Sequence, residues 1–222
     1  MPSGSDTARP RVGKYASFAE LARHEVHGED YRVQVRLRSS PVLILAPHGG
    51  LIEDGTSELA HEIAGAEHSL FSFEGLKPDR LNRELHITSH LFDHPDCLEL
   101  LGRSEVVLSV HGCRGDSCIH LGGLDRAFVT VLARELVAAG FPVEAASRRY
   151  PGLHPRNICN RGTRGAGAQL EVTFDLRREP FVHPIGRAVR SAIEAHLALT
   201  ATTLVAGTLT AGNLTVPAGR TR

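Results

Sequence analysis

The feature that most constrains this chain is the stretch at residues 41–58, which reads PVLILAPHGGLIEDGTSE. Its apolar run at 42–45 is typical of a strand that is buried on both faces. The pair Gly49 and Gly50 follows this run and permits a backbone turn that residues with a Cβ atom resist. A helix is predicted to begin after the turn, from about Ser57, with Thr56 or Ser57 as its cap.

An imidazole and a carboxylate, those of His48 and Glu53, lie in this turn. A second apolar run, at 105–110, ends in the same way with His111 directly after it. Parallel neighbours bring their carboxyl ends together at one edge of an α/β sheet, which is where such sheets place their ligand sites. Two imidazoles and one carboxylate suit a catalytic zinc ion and leave a position for water, although they also suit Fe(II). The sequence therefore predicts that these three residues bind one metal ion per chain.

Strands and helices alternate along the sequence, which indicates a three-layer α/β single domain with a mostly parallel, mixed sheet. We expect a disordered leader at 1–14, the domain at 15–199 and a low-complexity tail at 200–222, with a long arginine-rich loop at 147–168. The predicted helices lie at 15–26, 57–65, 93–102, 124–140 and 184–197. The predicted strands lie at 31–37, 42–45, 69–73, 85–91, 105–110, 142–146 and 169–174.

Charge and composition exclude several classes of function. The 222 residues include 25 basic and 25 acidic ones, so net charge gives no basis for binding nucleic acid or an anionic membrane. No apolar run approaches the roughly 20 residues of a membrane span, and the first residues lack the apolar core of a secretory signal. We therefore expect a cytoplasmic protein, and a monomer is expected as well. Its four cysteines form no CxxC pair and are expected to be reduced thiols.

A set of short motifs is spread along the chain: HGGLIE at 48–53, GTSE at 55–58, LHITS at 85–89, FD at 92–93, VHG at 110–112, NICNRG at 157–162 and QLE at 169–171. Together these motifs resemble the poly-γ-glutamate hydrolase family of phages and bacteria. The resemblance covers about residues 15–195, and no single motif in it is specific by itself. If the chain is phage-encoded, we expect its release by lysis.

This resemblance implies a zinc peptidase with a carboxypeptidase-like core that cleaves γ-glutamyl amide bonds of a bacterial capsule polymer. It implies that His48, Glu53 and His111 bind the zinc ion and that Glu171 is the catalytic glutamate. The strand pattern agrees with that role, because Glu171 lies on the opposite face from Leu170 and Val172. We expect the metal to activate a water molecule and Glu171 to act as its general base.

The substrate is expected to be an anionic γ-linked glutamate polymer or a small acidic amide. Arg161, in the NRG turn, is the first candidate for holding a substrate carboxylate, and Arg156 is a second, with Arg148 and Arg149 behind them. His86 and His90 are expected to support the site from a neighbouring strand. The alternatives are a zinc deacylase of N-acyl amino acids, a peptidoglycan peptidase, or a metal-binding phage structural module without turnover.

Overall fold

The computed structural model describes residues 13–145 and 147–211. Within this part of the chain one sheet contains all the strands that pair as ladders. In chain order they are β1 (Tyr31–Arg36), β2 (Val42–Gly50), β3 (Ser69–Gly75), β4 (Val106–Cys113), β5 (Ile119–Gly123), β6 (Val143–Glu144) and β7 (Ala168–Thr173). The α-helices are α1 (Phe18–Leu21), α2 (Thr56–Ala64), α3 (Pro95–Leu101), α4 (Arg126–Ala138) and α5 (Val182–Ala211). Three 3₁₀ segments, Asp79–Leu85, Ile158–Asn160 and Asp175–Arg177, complete the elements.

The strands are arranged in the order β1-β3-β2-β4-β7-β5-β6. β2 is parallel to both β3 and β4, and β4 is parallel to β7, so four central strands run in one direction. β1 is antiparallel to β3, and β5 is antiparallel to β7. The sheet is therefore mixed, with a parallel centre whose carboxyl ends meet at one edge, as the sequence predicts.

Two apolar layers cover the two faces of the sheet. Strand β2 shows this most clearly, because Val42 and Ile44 pack with α2, α4 and α5, whereas Leu43 and Leu45 pack on the other side. That second side is closed by α1, α3 and the 3₁₀ segments Asp79–Leu85 and Ile158–Asn160. This confirms the three-layer α/β fold, with doubly buried central strands.

The predicted strand at 85–91 is wrong. A 3₁₀ segment ends at Leu85, and turns follow it. The alternating pattern has another cause: Leu85 and Ile87 are fully buried against the second apolar layer, and a loop lying on that layer satisfies the same periodicity. The sequence interpretation also omits β5, which reads IHLGG and has few apolar residues to mark it.

Helix α5 differs from the prediction at its carboxyl end. A tail is expected from residue 200, yet the helix continues to Ala211, and residues 212–222 lie outside the described part. Two threonines in this stretch satisfy their hydroxyl groups within the helix, since Thr200 and Thr202 donate to the carbonyls of Leu197 and Ala198. Of the predicted leader, residues 1–12 also lie outside the described part.

The long loop at 147–167 is organised around one side chain, that of Asn160. Its Oδ1 atom accepts from the backbone N–H groups of Leu124 and Gly167, each at 3.2 Å. Its Nδ2 group donates to the carbonyls of Gly152 at 2.7 Å and His154 at 3.1 Å. This buried amide joins both ends of the loop to the start of α4, which allows an irregular segment of this length to keep one conformation.

Candidate metal centre

The three predicted ligands lie at the carboxyl edge of the parallel strands. His48 is near the end of β2, where the pairing with β3 shifts register between Ala46 and Gly49. His111 is near the end of β4, and Glu53 lies in the turn between β2 and α2. The last residues that β2 and β4 pair with each other are Leu45 and Ser109, so both histidines lie just beyond that shared ladder. The donor atoms therefore lie where these two strands stop pairing with each other.

The donor atoms of these residues converge on one point. His48 Nδ1 is 3.1 Å from His111 Nδ1, and Glu53 Oε1 is 3.3 Å from His48 Nδ1. Glu53 Oε2 is 3.7 Å from His111 Nδ1. Zinc–nitrogen bonds of 2.0–2.1 Å at a tetrahedral angle would separate two ring nitrogens by roughly 3.3 Å. The spacing and chemistry of this donor set therefore fit a divalent ion such as zinc.

Surrounding groups orient the ligands. His48 Nε2 lies 2.7 Å from the carbonyl oxygen of Ile87, and this contact requires the proton on Nε2 and leaves Nδ1 as a lone-pair donor. The Gly112 N–H group donates to Glu53 Oε2 at 2.8 Å. The ring of His86 stacks on that of His48 with 3.8 Å between centroids. The predicted supporting role of His86 thus has a contact, although it comes from a loop and not from a strand.

Glu53 and Glu171 differ in their electrostatics. Burial by itself would raise the pKa of Glu53, but His48, together with hydrogen bonds from His111 and His86, holds it well below the usual range. Glu53 therefore offers an ionised carboxylate to a metal ion. Burial and the charge of Glu53 raise the pKa of Glu171 well above its usual range, and Arg177 and Arg149 partly oppose this. A bound cation would also lower it.

Glu171 is the register partner of His111 across β4 and β7. Backbones of neighbouring strands are about 5 Å apart, and register partners point to the same face. Leu170 and Val172 pack into the helix-covered layer, so Glu171 projects to the opposite face, the one His111 shares. Glu171 thus projects from the strand next to His111, on the same face of the sheet.

A cleft of about 660 Å³ opens beside the donor set, with Glu53, His86 and Gly112 in its wall. Its lining also contains Tyr150 and the apolar Leu51, Ile52 and Phe174. Burial, and then the neighbouring Cys113, raise the pKa of Tyr150 to about 12, so its hydroxyl group stays a neutral donor. The arginines in the lining are Arg83, Arg114, Arg149 and Arg177.

Arg177 is the buried member of this set, only 6% exposed. Its Nε group donates to the carbonyl of Val172 at 3.0 Å and its Nη1 group to the carbonyl of Asp54. A Cβ atom at Gly112 would lie 2.5 Å from the guanidinium carbon, so the glycine is needed for this close approach. The cation is thereby fixed between the metal-ligand turn and the residue after His111, and its Nη2 group makes no hydrogen bond with the described residues.

The structure does not bring the predicted substrate-binding arginines to this cleft. Arg161 donates through Nη1 to the carbonyl of Phe92 at 2.7 Å, so its guanidinium is engaged beneath the second apolar layer. Arg156 is exposed on the loop near His90 and His154. The NRG turn thus serves to pack the long loop. Sequence reasoning missed Arg177, although it comes shortly after the carboxyl end of β7, at the same edge of the sheet as the proposed ligands.

Comparison with known proteins identifies the relatives of this chain. The family model described as poly-gamma-glutamate hydrolase matches residues 15–194. Among curated relatives, UPF0714 protein YndL of Bacillus subtilis (strain 168) is 42% identical over 170 residues, and the SPbeta prophage-derived UPF0714 protein YoqZ of the same strain is 40% identical over 171. These alignments cover 75% and 76% of this chain, but 66% and 61% of the two relatives.

Two solved structures share the fold. A bacteriophage poly-gamma-glutamate hydrolase superposes with a TM-score of 0.81 at 28% identity, covering 84% of this chain and 99% of that one. The zinc-free form of YndL superposes with a TM-score of 0.76 at 34% identity, covering 82% and 98%. Together with the family match over most of its length, these similarities show that the chain belongs to the poly-gamma-glutamate hydrolase family.

Proposed function

We propose that this protein is a zinc-dependent hydrolase of γ-glutamyl amide bonds, and that its substrate is a γ-linked glutamate polymer. The observation that carries the proposal is the pairing of Glu171 with His111, which sets an acid–base group beside the convergent donors of His48, Glu53 and His111. Family membership and the zinc-free form of YndL support the choice of reaction and of metal.

The chain's own groups divide the work of hydrolysis. A zinc ion held by the three ligands would supply Lewis-acid chemistry and lower the pKa of water. Glu171 accepts the proton of the attacking water and passes it to the leaving nitrogen. Its half-buried position beside Glu53 raises the pKa of this carboxyl group and so makes it a stronger base. Tyr150 and the Nη2 group of Arg177 are hydrogen-bond donors at the cleft and can orient the substrate.

The arginine-lined cleft supports an anionic substrate. A γ-linked glutamate chain carries a free α-carboxylate on every unit, and guanidinium groups bind carboxylates through two parallel hydrogen bonds. Arg83, Arg114 and Arg149 are exposed at the cleft, where they can meet successive units, while Arg177 is fixed at its base. A neutral amide would leave this group of cations without counterions.

The test compares γ-linked with α-linked polyglutamate of equal length, because the two have the same charge and differ only in the bond that is cut. Zinc-loaded protein should shorten the γ-linked polymer, and protein stripped by a chelator should not. Sizing of the products distinguishes internal from terminal cleavage. Equal cleavage of both polymers would contradict the γ-specific proposal, as would activity confined to N-acyl amino acids or muropeptides.

A further inference from the structure

Glu74, at the end of β3, is a buried carboxylate that lies outside the cleft and is only 1% exposed. Its Oε2 atom accepts from Arg32 Nε at 2.6 Å, and its Oε1 atom accepts from Gln34 Nε2 at 2.8 Å. Ser72 Oγ donates to the same Oε1 atom at 2.9 Å. Three donors favour the ionised form of this carboxyl group and fix its side chain in one position.

The hydrogen bonds continue from Glu74 to the metal-ligand turn. Ser72 Oγ is 3.0 Å from Ser57 Oγ, and the backbone N–H group of Gly50 donates to Ser57 Oγ at 2.8 Å. Ser72 gives its proton to Glu74, so Ser57 must give its own proton to Ser72. Every bond therefore points one way, from the Gly50 amide to the carboxylate, and the charge at the end strengthens the series.

The attachment point lies directly after a register shift between β2 and β3. Gly50 lies between His48 and Glu53, and the regular pairing of β2 with β3 is interrupted between Ala46 and Gly49. A Cβ atom at Gly49 would collide with Ser57 Oγ, so the backbone of the turn packs directly on the hydroxyl group. The pairing resumes at Gly49 and Gly50, and the side-chain hydrogen bonds add a second support to the backbone that joins two of the proposed ligands.

We propose that Glu74, Ser72 and Ser57 are positioning residues that hold His48 and Glu53 in the geometry needed to bind the metal. The inference rests on the proposed zinc site and deepens it. None of the three touches the donor atoms, so their effect passes through the Gly50 amide. The network extends to β1, at the edge of the sheet, through Arg32 and Gln34.

Zinc affinity tests this proposal without reference to turnover. Ser57→Ala removes the acceptor of the Gly50 amide, and Glu74→Gln replaces the terminal acceptor by an amide whose NH₂ group must face a donor. Each should weaken zinc binding by about tenfold or more, as loss of a partner that orients a metal ligand typically does. The measurement is competition with a chromophoric chelator, together with the melting temperature of the metal-free protein.

Ser69→Ala is the matched control. Ser69 is a buried serine of the same strand, 2% exposed, whose Oγ accepts from the Arg38 amide at the opposite end of β3. It should keep wild-type zinc affinity even if its melting temperature falls. Should Glu74→Gln fail to fold, Ser57→Ala decides the matter.

The two proposals fail in different ways. Wild-type affinity in Ser57→Ala, or an equal loss in Ser69→Ala, would overturn the positioning role and leave the proposed function intact. A wild-type protein that binds no zinc would overturn both.

Discussion

Glu171 is either the general base of the reaction or a carboxylate that only stabilises the fold, and the two roles make opposite predictions. Glu171→Gln keeps the size of the side chain but cannot accept a proton, so we expect kcat to fall by about a hundredfold or more. Zinc content should stay near one per chain, because the proposed ligands are elsewhere. Measuring kcat, zinc content and melting temperature on one preparation distinguishes the catalytic from the structural role. A normal kcat with a lowered melting temperature would reject the catalytic role.

The two histidine ligands allow an equally direct test. His48→Ala and His111→Ala should each lose most of the bound zinc, because each removes one of three convergent donors. The matched control is His90→Ala, which removes a histidine that contacts His154 on the long loop. Metal analysis after gel filtration gives the answer, and full zinc occupancy in either ligand variant would exclude that residue.

Arginines inside and outside the cleft give contrasting expectations. Arg149 and Arg156 are both exposed, but only Arg149 lines the cleft. Arg149→Ala should raise the KM for γ-linked polyglutamate several-fold, and added salt should raise the wild-type KM by screening the same attraction. Arg156→Ala should leave KM unchanged if placement decides the role. A larger effect at Arg156 would restore the assignment that the sequence favours.

The metal ligands could be predicted from sequence because each follows a long apolar run, and topology then brings the ends of such runs together. Arg177 could not, because its place depends on two backbone carbonyls, of Asp54 and Val172, that are distant in sequence from each other. The sequence predicts Arg161 at the cleft, but the structure places it elsewhere. The local sequence of a glycine turn does not show which distant carbonyl its arginine will bind.

At the scale of elements, the start of α4 is fixed to α5 by a buried charge cluster. Asp125 caps α4 by accepting from the Phe128 amide at 2.9 Å, and its Oδ2 atom is 3.3 Å from His196 Nε2 and 3.6 Å from Arg164 Nη1. Burial alone would raise the pKa of Asp125, but His196, the Phe128 amide and Arg164 lower it overall.

This depressed pKa gives a pH dependence with a definite sign. A carboxylate whose pKa is lower in the folded than in the unfolded state stabilises the fold above its ordinary value of 3.8, and the contribution is lost as pH falls through the folded pKa. Asp125→Asn should therefore lower the free energy of unfolding at pH 7, and the difference from wild type should shrink below about pH 4. Denaturant titrations at both pH values check this, and a constant difference would contradict it.

Element types were predictable where burial and periodicity agree. Strands β2 and β4 are continuous apolar runs, and α4 carries its apolar residues at helical spacing. The failures share one cause, because periodicity reports which residues face an apolar layer and not what the backbone pairs with. Leu85 and Ile87 therefore imitate a strand, while β5 pairs on both sides with little apolar pattern of its own.

At the scale of the whole molecule, the three-layer order follows from the alternation of elements, whereas the position of β5 between β7 and β6 does not. Even the 30-residue α5 does not combine the length and apolarity of a bilayer-crossing helix, and the same holds for every other helix in the described part. The ligands belong to segments that are far apart in sequence, with 63 residues separating His48 from His111. The donor set therefore exists only after β2 and β4 have paired.

The position of the two histidines near the ends of β2 and β4 affects how the sheet can open locally. Both histidines lie just past Leu45 and Ser109, the final rung between β2 and β4, so a metal held there would link the two strands beyond the point where their own pairing stops. Zinc at a thousandfold excess over its Kd should stabilise the folded state by about 4 kcal/mol. Amide hydrogen exchange in β2 and β4 should then slow by up to about a thousandfold, while amides that exchange by local fraying of α5 keep their rates. Uniform slowing of exchange along α5 would mean that the ion stabilises the fold as a whole and not the ends of β2 and β4 in particular.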